Sequence, residues 1–125
     1  MIHLDANYLI AGVNRATSEA RAIEAWLLAG ESLACSTIAW SEFLVGPVLS
    51  AQVAMAREFL VGGCVDFEET HAARSADLFN RVGRIRRLKF DCLIAATAIV
   101  GGARLATRNL ADFGLFVPHG LDLAT

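Results

Sequence analysis

Apolar positions in this chain recur in two rhythms. Short, largely apolar runs at Met1–Leu4, Ser32–Cys35 and Arg104–Thr107 read as strands, with weaker candidates at Val65–Phe67 and Leu115–Val117. Between them the spacing becomes helical. In Ser18–Ala29 the residues Ala22, Ile23, Trp26 and Leu27 share one helix face, and Gly30 follows as a stop. Asn7–Val13 and Ser50–Val61 read as helices, the latter closed by Gly62-Gly63. Thr37 is a candidate cap for a helix running through Val45, with Pro47 soon after. Thr70 is a candidate cap for a long amphipathic helix, with Ala72, Ala76, Phe79, Val82 and Ile85 inward and Arg74, Asp77, Arg81 and Arg84 outward. Cys92–Val100 is apolar all round, which predicts a buried helix ended by Gly101-Gly102. Strands alternating with helices imply βαβ units. The expected fold is α/β, a single domain over 1–125 with a central parallel sheet of about five short strands and helices on both faces.

Composition changes that picture in one respect. The chain is 55% hydrophobic with a mean hydropathy of +0.48, high for a soluble protein. The longest uncharged stretches, Phe43–Ala56 and Cys92–Ala103, fall short of the about 20 apolar residues a spanning helix needs. Asp5 stands where a signal peptide carries basic residues. The expectation is a cytoplasmic protein with no membrane association, its surplus apolar surface going into protein–protein contact. Cys35, Cys64 and Cys92 are widely spaced, as are His3, His71 and His119. Zinc needs such residues clustered, so this pattern argues against it. Net charge is −2, yet five of the eleven basic residues fall between Arg81 and Lys89. That stripe can attract phosphate, or it can be a solvated helix end favoured by the helix dipole.

Most of the thirteen acids lie in polar surroundings or on outer helix faces. Four do not. Asp5 ends the first strand. Glu42 sits in the apolar stretch Ile38–Val45, where an unpaired buried charge is costly. Asp91 stands between Phe90 and the buried helix, and Asp112 follows the strand ending at Thr107. Each has an ordinary explanation: a helix cap for Asp5 and Asp91, a buried Arg partner for Glu42, an Asx turn for Asp112. Three of them lie just after a strand or at a helix start, on the edge of the sheet where α/β proteins bind ligands. Carboxylates gathered there repel one another unless a cation neutralises them, and all-oxygen ligands favour Mg²⁺ or Mn²⁺.

Four blocks carry a resemblance. Leu4-Asp5-Ala6-Asn7-Tyr8-Leu9-Ile10, Thr37-Ile38-Ala39-Trp40-Ser41-Glu42-Phe43, Lys89-Phe90-Asp91-Cys92-Leu93-Ile94-Ala95-Ala96-Thr97-Ala98 and Leu105-Ala106-Thr107-Arg108-Asn109-Leu110-Ala111-Asp112-Phe113 occur in this order. They resemble the PIN-domain nucleases and, within them, the VapC toxins of bacterial toxin–antitoxin pairs, over residues 2 to 117. The resemblance implies a catalytic set of Asp5, Glu42, Asp91 and Asp112. Asp5, Asp91 and Asp112 would hold Mg²⁺ or Mn²⁺, and Asn7, Thr107 and Asn109 occupy polar supporting positions. Ala6 departs from the Ser or Thr of many relatives, and Cys92 from the commoner small residue.

The implied chemistry is metal-dependent hydrolysis of an RNA phosphodiester by an activated water; Glu42 would orient or deprotonate that water, or help hold a second metal. Arg108 and the Arg84–Lys89 stripe are candidate contacts to the RNA backbone. The implied partners are an RNA substrate, a small antitoxin protein and a second copy of the chain in a homodimer. Two rival enzyme or signalling readings lack their residues. A haloacid-dehalogenase-type phosphotransferase needs an acid where Asn7 stands, and a receiver domain needs paired acids before the first helix. A non-catalytic module on the same fold stays open.

Overall fold

The computed structural model describes residues 1–124. Five strands form one all-parallel sheet: β1 (Ile2–Leu4), β2 (Leu33–Ser36), β3 (Gly63–Val65), β4 (Arg104–Ala106) and β5 (Asp122–Leu123). Their order across the sheet is β3-β2-β1-β4-β5. Every side chain of β1 and β2 is buried, as parallel strands require when both faces are covered. The helices are α1 (Ala6–Gly12), α2 (Ser18–Leu28), α3 (Thr37–Val45), α4 (Ser50–Phe59), α5 (Glu69–Arg81), α6 (Lys89–Val100) and α7 (Leu110–Phe113). Phe43, Phe113, Phe116, Leu4, Leu9, Leu78 and Leu105 are fully buried and anchor the core. No helix among the described residues is long and apolar enough to cross a membrane.

The α/β reading of the sequence is borne out, with local corrections that share one cause. Capping and turn chemistry moved element ends that periodicity alone placed elsewhere. Ser36, not Thr37, caps α3 by accepting the Ala39 N–H at 3.0 Å. At the start of α5 the Glu68 N–H donates to His71 Nδ1 at 2.8 Å, so the helix begins before Thr70. His71, Ser75 and Leu78 are its buried residues; of the expected inward set Phe79 and Val82 do pack, partly buried, against the core, while Ala72, Ala76 and Ile85 are exposed. The chain leaves the helix at Val82 and turns through Gly83 and Arg84, both with positive φ, which puts Ile85 outside it.

β3 lies two residues before the Val65–Phe67 candidate. Leu115–Val117 is part of a 3₁₀ segment, Gly114–His119, anchored by buried Phe116. The last strand comes only after Gly120, whose φ of 111° turns the chain.

The sheet order creates the functional edge. β1 pairs with β2 on one side and with β4 on the other, so the connections leaving β1 and β4 part company at their carboxyl ends. A crevice at such a divergence is where open α/β sheets hold ligands.

Candidate functional site

Asp5 is the first residue beyond β1, and the fold binds it from three directions. Its backbone N–H donates to Ala106 O of β4 at 3.1 Å, continuing the sheet by one bond. Its Oδ1 accepts the Tyr8 N–H at 2.8 Å, capping α1. Its Oδ2 accepts the Thr107 hydroxyl at 2.5 Å. Asp5 is therefore both the helix cap its position suggests and a buried carboxylate, only 4% exposed. Burial raises its pKa above the ordinary carboxylate value. The Thr107 hydroxyl, the Tyr8 N–H and the charge of Arg108 pull the other way.

Thr107 in turn is fixed by its neighbour, because its Oγ1 accepts the Asn109 N–H at 2.9 Å. Asn109 caps α7: its Oδ1 accepts the Asp112 N–H at 3.3 Å and its Nδ2 donates to Asp112 Oδ2 at 3.0 Å. Asp112 is thus held inside the first turn of a short helix rather than closing a turn by itself. Its other oxygen, Oδ1, pairs with Arg87 at 3.2 Å. One continuous chain of hydrogen bonds runs from Tyr8 through Asp5, Thr107 and Asn109 to Asp112.

Asp91 lies in the first turn of α6, which begins at Lys89 rather than Cys92. The end of a helix that carries partial positive charge favours an acid there. Burial nevertheless pushes its pKa up to about 6, and the negative charges of Asp112, Glu42 and Asp5 add to the rise, with Arg87 opposing it. Glu42 differs from its sequence-based expectation. α3 buries only Ala39, Trp40 and Phe43, leaving Glu42, Leu44 and Val45 outward, so Glu42 is exposed and needs no buried Arg. Its pKa is still raised, by partial desolvation first and by Asp5 second. The charges of Asp5, Glu42 and Asp112, from three other segments of the chain, thus reach Asp91, and that of Asp5 reaches Glu42.

The donor set is carboxylate oxygen, with Arg87 and Arg108 the nearby cations. Among the described residues no three Asp, Glu, His or Cys side chains already converge as a finished metal cage. The chemistry of the set fits a hard divalent cation: its donors are oxygens, and Asp91 is penalised by three like charges that such an ion would offset.

The carboxyl-edge arrangement invites comparison with known proteins. The model of the PIN domain family matches residues 2–113. The chain belongs to the PIN domain family. A chain of a toxin–antitoxin complex from Klebsiella pneumoniae is 29% identical, with a TM-score of 0.72 and 90% of each chain covered. One from FitAcB of Neisseria gonorrhoeae is 25% identical, with a TM-score of 0.72 over 100% of this chain and 97% of that one. VapBC2 from Rickettsia felis, bound to a promoter DNA fragment, shares the fold at a TM-score of 0.78 and 21% identity, covering 99% and 98%. Among curated proteins none matches significantly.

Within this PIN domain the geometry shows two ion pairs that sequence reasoning did not foresee. Glu19, grouped among solvated acids, receives Arg108 Nε at 3.2 Å, and its side chain is only 17% exposed. Arg87 belongs to the basic stripe yet reaches Asp112. Both pairs join distant parts of the chain, so no local motif announces them. Beside the acids, Asn7, Arg108 and Asn109 line a polar cavity of about 370 Å³.

The hydrogen-bond chain makes a testable claim about stability. Thr107→Val keeps the shape of the side chain and removes the hydroxyl from a buried carboxylate. The expected loss is about 1–3 kcal/mol at pH 7, measured by urea unfolding in EDTA. The loss shrinks at low pH, where Asp5 is protonated. A variant as stable as the parent at pH 7 would show that Thr107 does not support Asp5.

Proposed function

We propose that this PIN domain is a metal-dependent endoribonuclease and the toxin of a toxin–antitoxin pair. The observation that supports the reading is the raised pKa of Asp91, to which the charges of Asp112, Glu42 and Asp5 contribute beyond burial. Asp5 and Asp91 would hold Mg²⁺ or Mn²⁺, with Asp112 beside them. The ion, when bound, supplies Lewis acidity and a water activated at neutral pH. The protein's own part is positional. The Tyr8 N–H and the Thr107 hydroxyl each engage one oxygen of Asp5, which fixes the plane of that carboxylate. Asn109 and Arg87 do the same for Asp112, one on each oxygen. Glu42, outward on α3, can orient a water or take its proton on the solvent side of the cluster.

Asn7 and Arg108, on the wall of the polar cavity, are placed to meet an RNA phosphate. The basic stripe is only partly free to do so. Arg84 and Lys89 lie over the Phe79 ring at 5.3 and 5.7 Å, and Arg87 pairs with Asp112. Arg86 is exposed and has no ion pair among the described residues. The double variant Arg86→Gln, Lys89→Gln is therefore the informative one, because it leaves Arg87 in place. It should weaken RNA binding evenly across sequences and lower the salt slope of log affinity by about 1 to 2. An unchanged slope would return the stripe to a solvated helix end.

The toxin role rests on the likeness to chains of toxin–antitoxin complexes and on a largely apolar cleft. Ile23, Leu27, Leu28, Met55 and Phe59 give apolar walls to a cavity of about 600 Å³ that Arg15, Arg21 and Glu24 also line, and Leu28 is 83% exposed. A small antitoxin with an apolar segment fits that chemistry, and exposed Val45, Leu49 and Phe90 leave apolar surface for a homodimer. Induced expression without a partner tests the role. Growth should stop with the parent chain and continue with Asp5→Asn. Growth unaffected by the soluble parent chain, with RNA cleavage intact in vitro, would separate the nuclease from the toxin. A fold-retaining chain that binds RNA but never cuts it would favour the non-catalytic module.

A further inference from the structure

Cys35 and Cys64 are register partners in the parallel ladder between β2 and β3, and their sulfurs lie 3.7 Å apart. Strands in a sheet stand about 4.7–4.9 Å apart. That spacing falls within the roughly 4.4–6.8 Å between Cα atoms that disulfides span. Closing the sulfurs to about 2.05 Å asks each to move by less than about 1 Å. β3 can yield that distance: it is a three-residue edge strand, paired on one side only and entered through Gly62 and Gly63. The two thiols also differ in access. Cys64 is exposed, whereas Cys35 is fully buried. The third cysteine, Cys92, is buried in α6 and serves as an internal control.

We propose that Cys35 and Cys64 form an oxidisable thiol pair that small-molecule disulfides convert to an internal cross-strand disulfide, clamping the edge strand β3 to β2. In the first step the Cys64 thiolate attacks one sulfur of the small disulfide. That S–S bond breaks, one small thiolate leaves, and Cys64 carries a mixed disulfide. In the second, Cys35 gives its proton to solvent and its thiolate attacks the Cys64 sulfur, expelling the second small thiolate. Two protein thiols are oxidised and one small disulfide is reduced to two thiols.

Burial and the neighbouring Cys64 raise the Cys35 pKa well above the ordinary thiol value. Arg57 of α4 is the charged group that opposes the rise. Closure is therefore the slow step and accelerates about tenfold per pH unit while Cys35 remains a thiol. The clamp closes one residue before Ser36, the cap of the helix that carries Glu42.

The test is incubation of the folded protein with oxidised glutathione, followed by thiol counting, intact mass and a melting curve. The expected result is loss of two thiols and of two hydrogens in mass, with Cys92 still free. Tm should rise by about 5–10 °C and return with dithiothreitol. Cys35→Ala should stop at one glutathionyl group on Cys64. Should that variant not fold, non-reducing peptide mapping of the oxidised parent decides. A Cys35–Cys64 linked pair supports the proposal. A persistent mixed disulfide, a link between chains, or an unchanged thiol count overturns it.

Discussion

Asp91→Asn is expected to lower RNA cleavage in Mg²⁺ by at least about 10²–10³-fold while making the metal-free protein more stable. The two effects have one origin. In the folded chain Asp91 has a pKa of about 6 against an ordinary 3.8, through burial and the charges of Asp112, Glu42 and Asp5. A carboxyl whose folded pKa is raised binds its proton more tightly in the native state. Its penalty is absent below about pH 4 and grows as pH rises through about 6. The full difference corresponds to about 3 kcal/mol. Solvent screening of a side chain that is only partly buried brings this to about 1 kcal/mol. Asparagine carries no charge, so the variant should gain about that much at pH 7 and nothing at pH 4. Urea unfolding in EDTA at the two pH values reads the stability, and a cleavage assay reads the activity. Cleavage at the parental rate would remove Asp91 from the site, whatever its effect on stability.

What could be read from the sequence was decided by local chemistry. Asp5 follows an apolar run and precedes a helical one, so both its strand end and its capping role were visible. The buried helix α6 was evident because Cys92 to Ala98 are apolar or small on every side. The face of α5 was not. Phe79, Ala72 and Ala76 suggest an apolar stripe; Phe79 does pack against the core, but Ala72 and Ala76 are exposed and His71, Ser75 and Leu78 are the buried residues.

Glu42 shows the reverse error. Its apolar neighbours imply burial, yet Leu44 and Val45 are themselves exposed, so the surrounding hydrophobicity describes a surface. That the charges of Asp5, Glu42 and Asp112 all reach Asp91 depends on β1 lying between β2 and β4, an order that no spacing along the chain encodes. Arg87 and Glu19 were hidden for the same reason: each meets its partner only after the sheet has formed.

Cleavage is expected to leave a 5′-phosphate and a 3′-hydroxyl. Ribonucleases that work without metal usually activate the substrate's own 2′-hydroxyl, using an acid and a base with pKa values near neutrality, and produce a cyclic phosphate. The three histidines here are not placed for that work. His3 is buried on β1 with its Nδ1 unpartnered, and burial with nearby positive charge lowers its pKa to about 4. His71 is buried with its Nδ1 already accepting the Glu68 N–H. His119 lies in the 3₁₀ segment before β5, its carbonyl bonded to Arg74. The groups that do gather are carboxylates, which suit activation of a water rather than of the 2′-hydroxyl. The 3′-oxygen is then the leaving group, and the 2′-hydroxyl takes no part in bond making. Cleavage should therefore stop in EDTA, return with Mg²⁺ or Mn²⁺, and survive 2′-O-methylation at the cut nucleotide where the methyl group fits. End-group analysis of one labelled oligonucleotide distinguishes the two routes. A 2′,3′-cyclic phosphate formed in the presence of EDTA would overturn the assignment of Asp5, Glu42, Asp91 and Asp112 as the catalytic set.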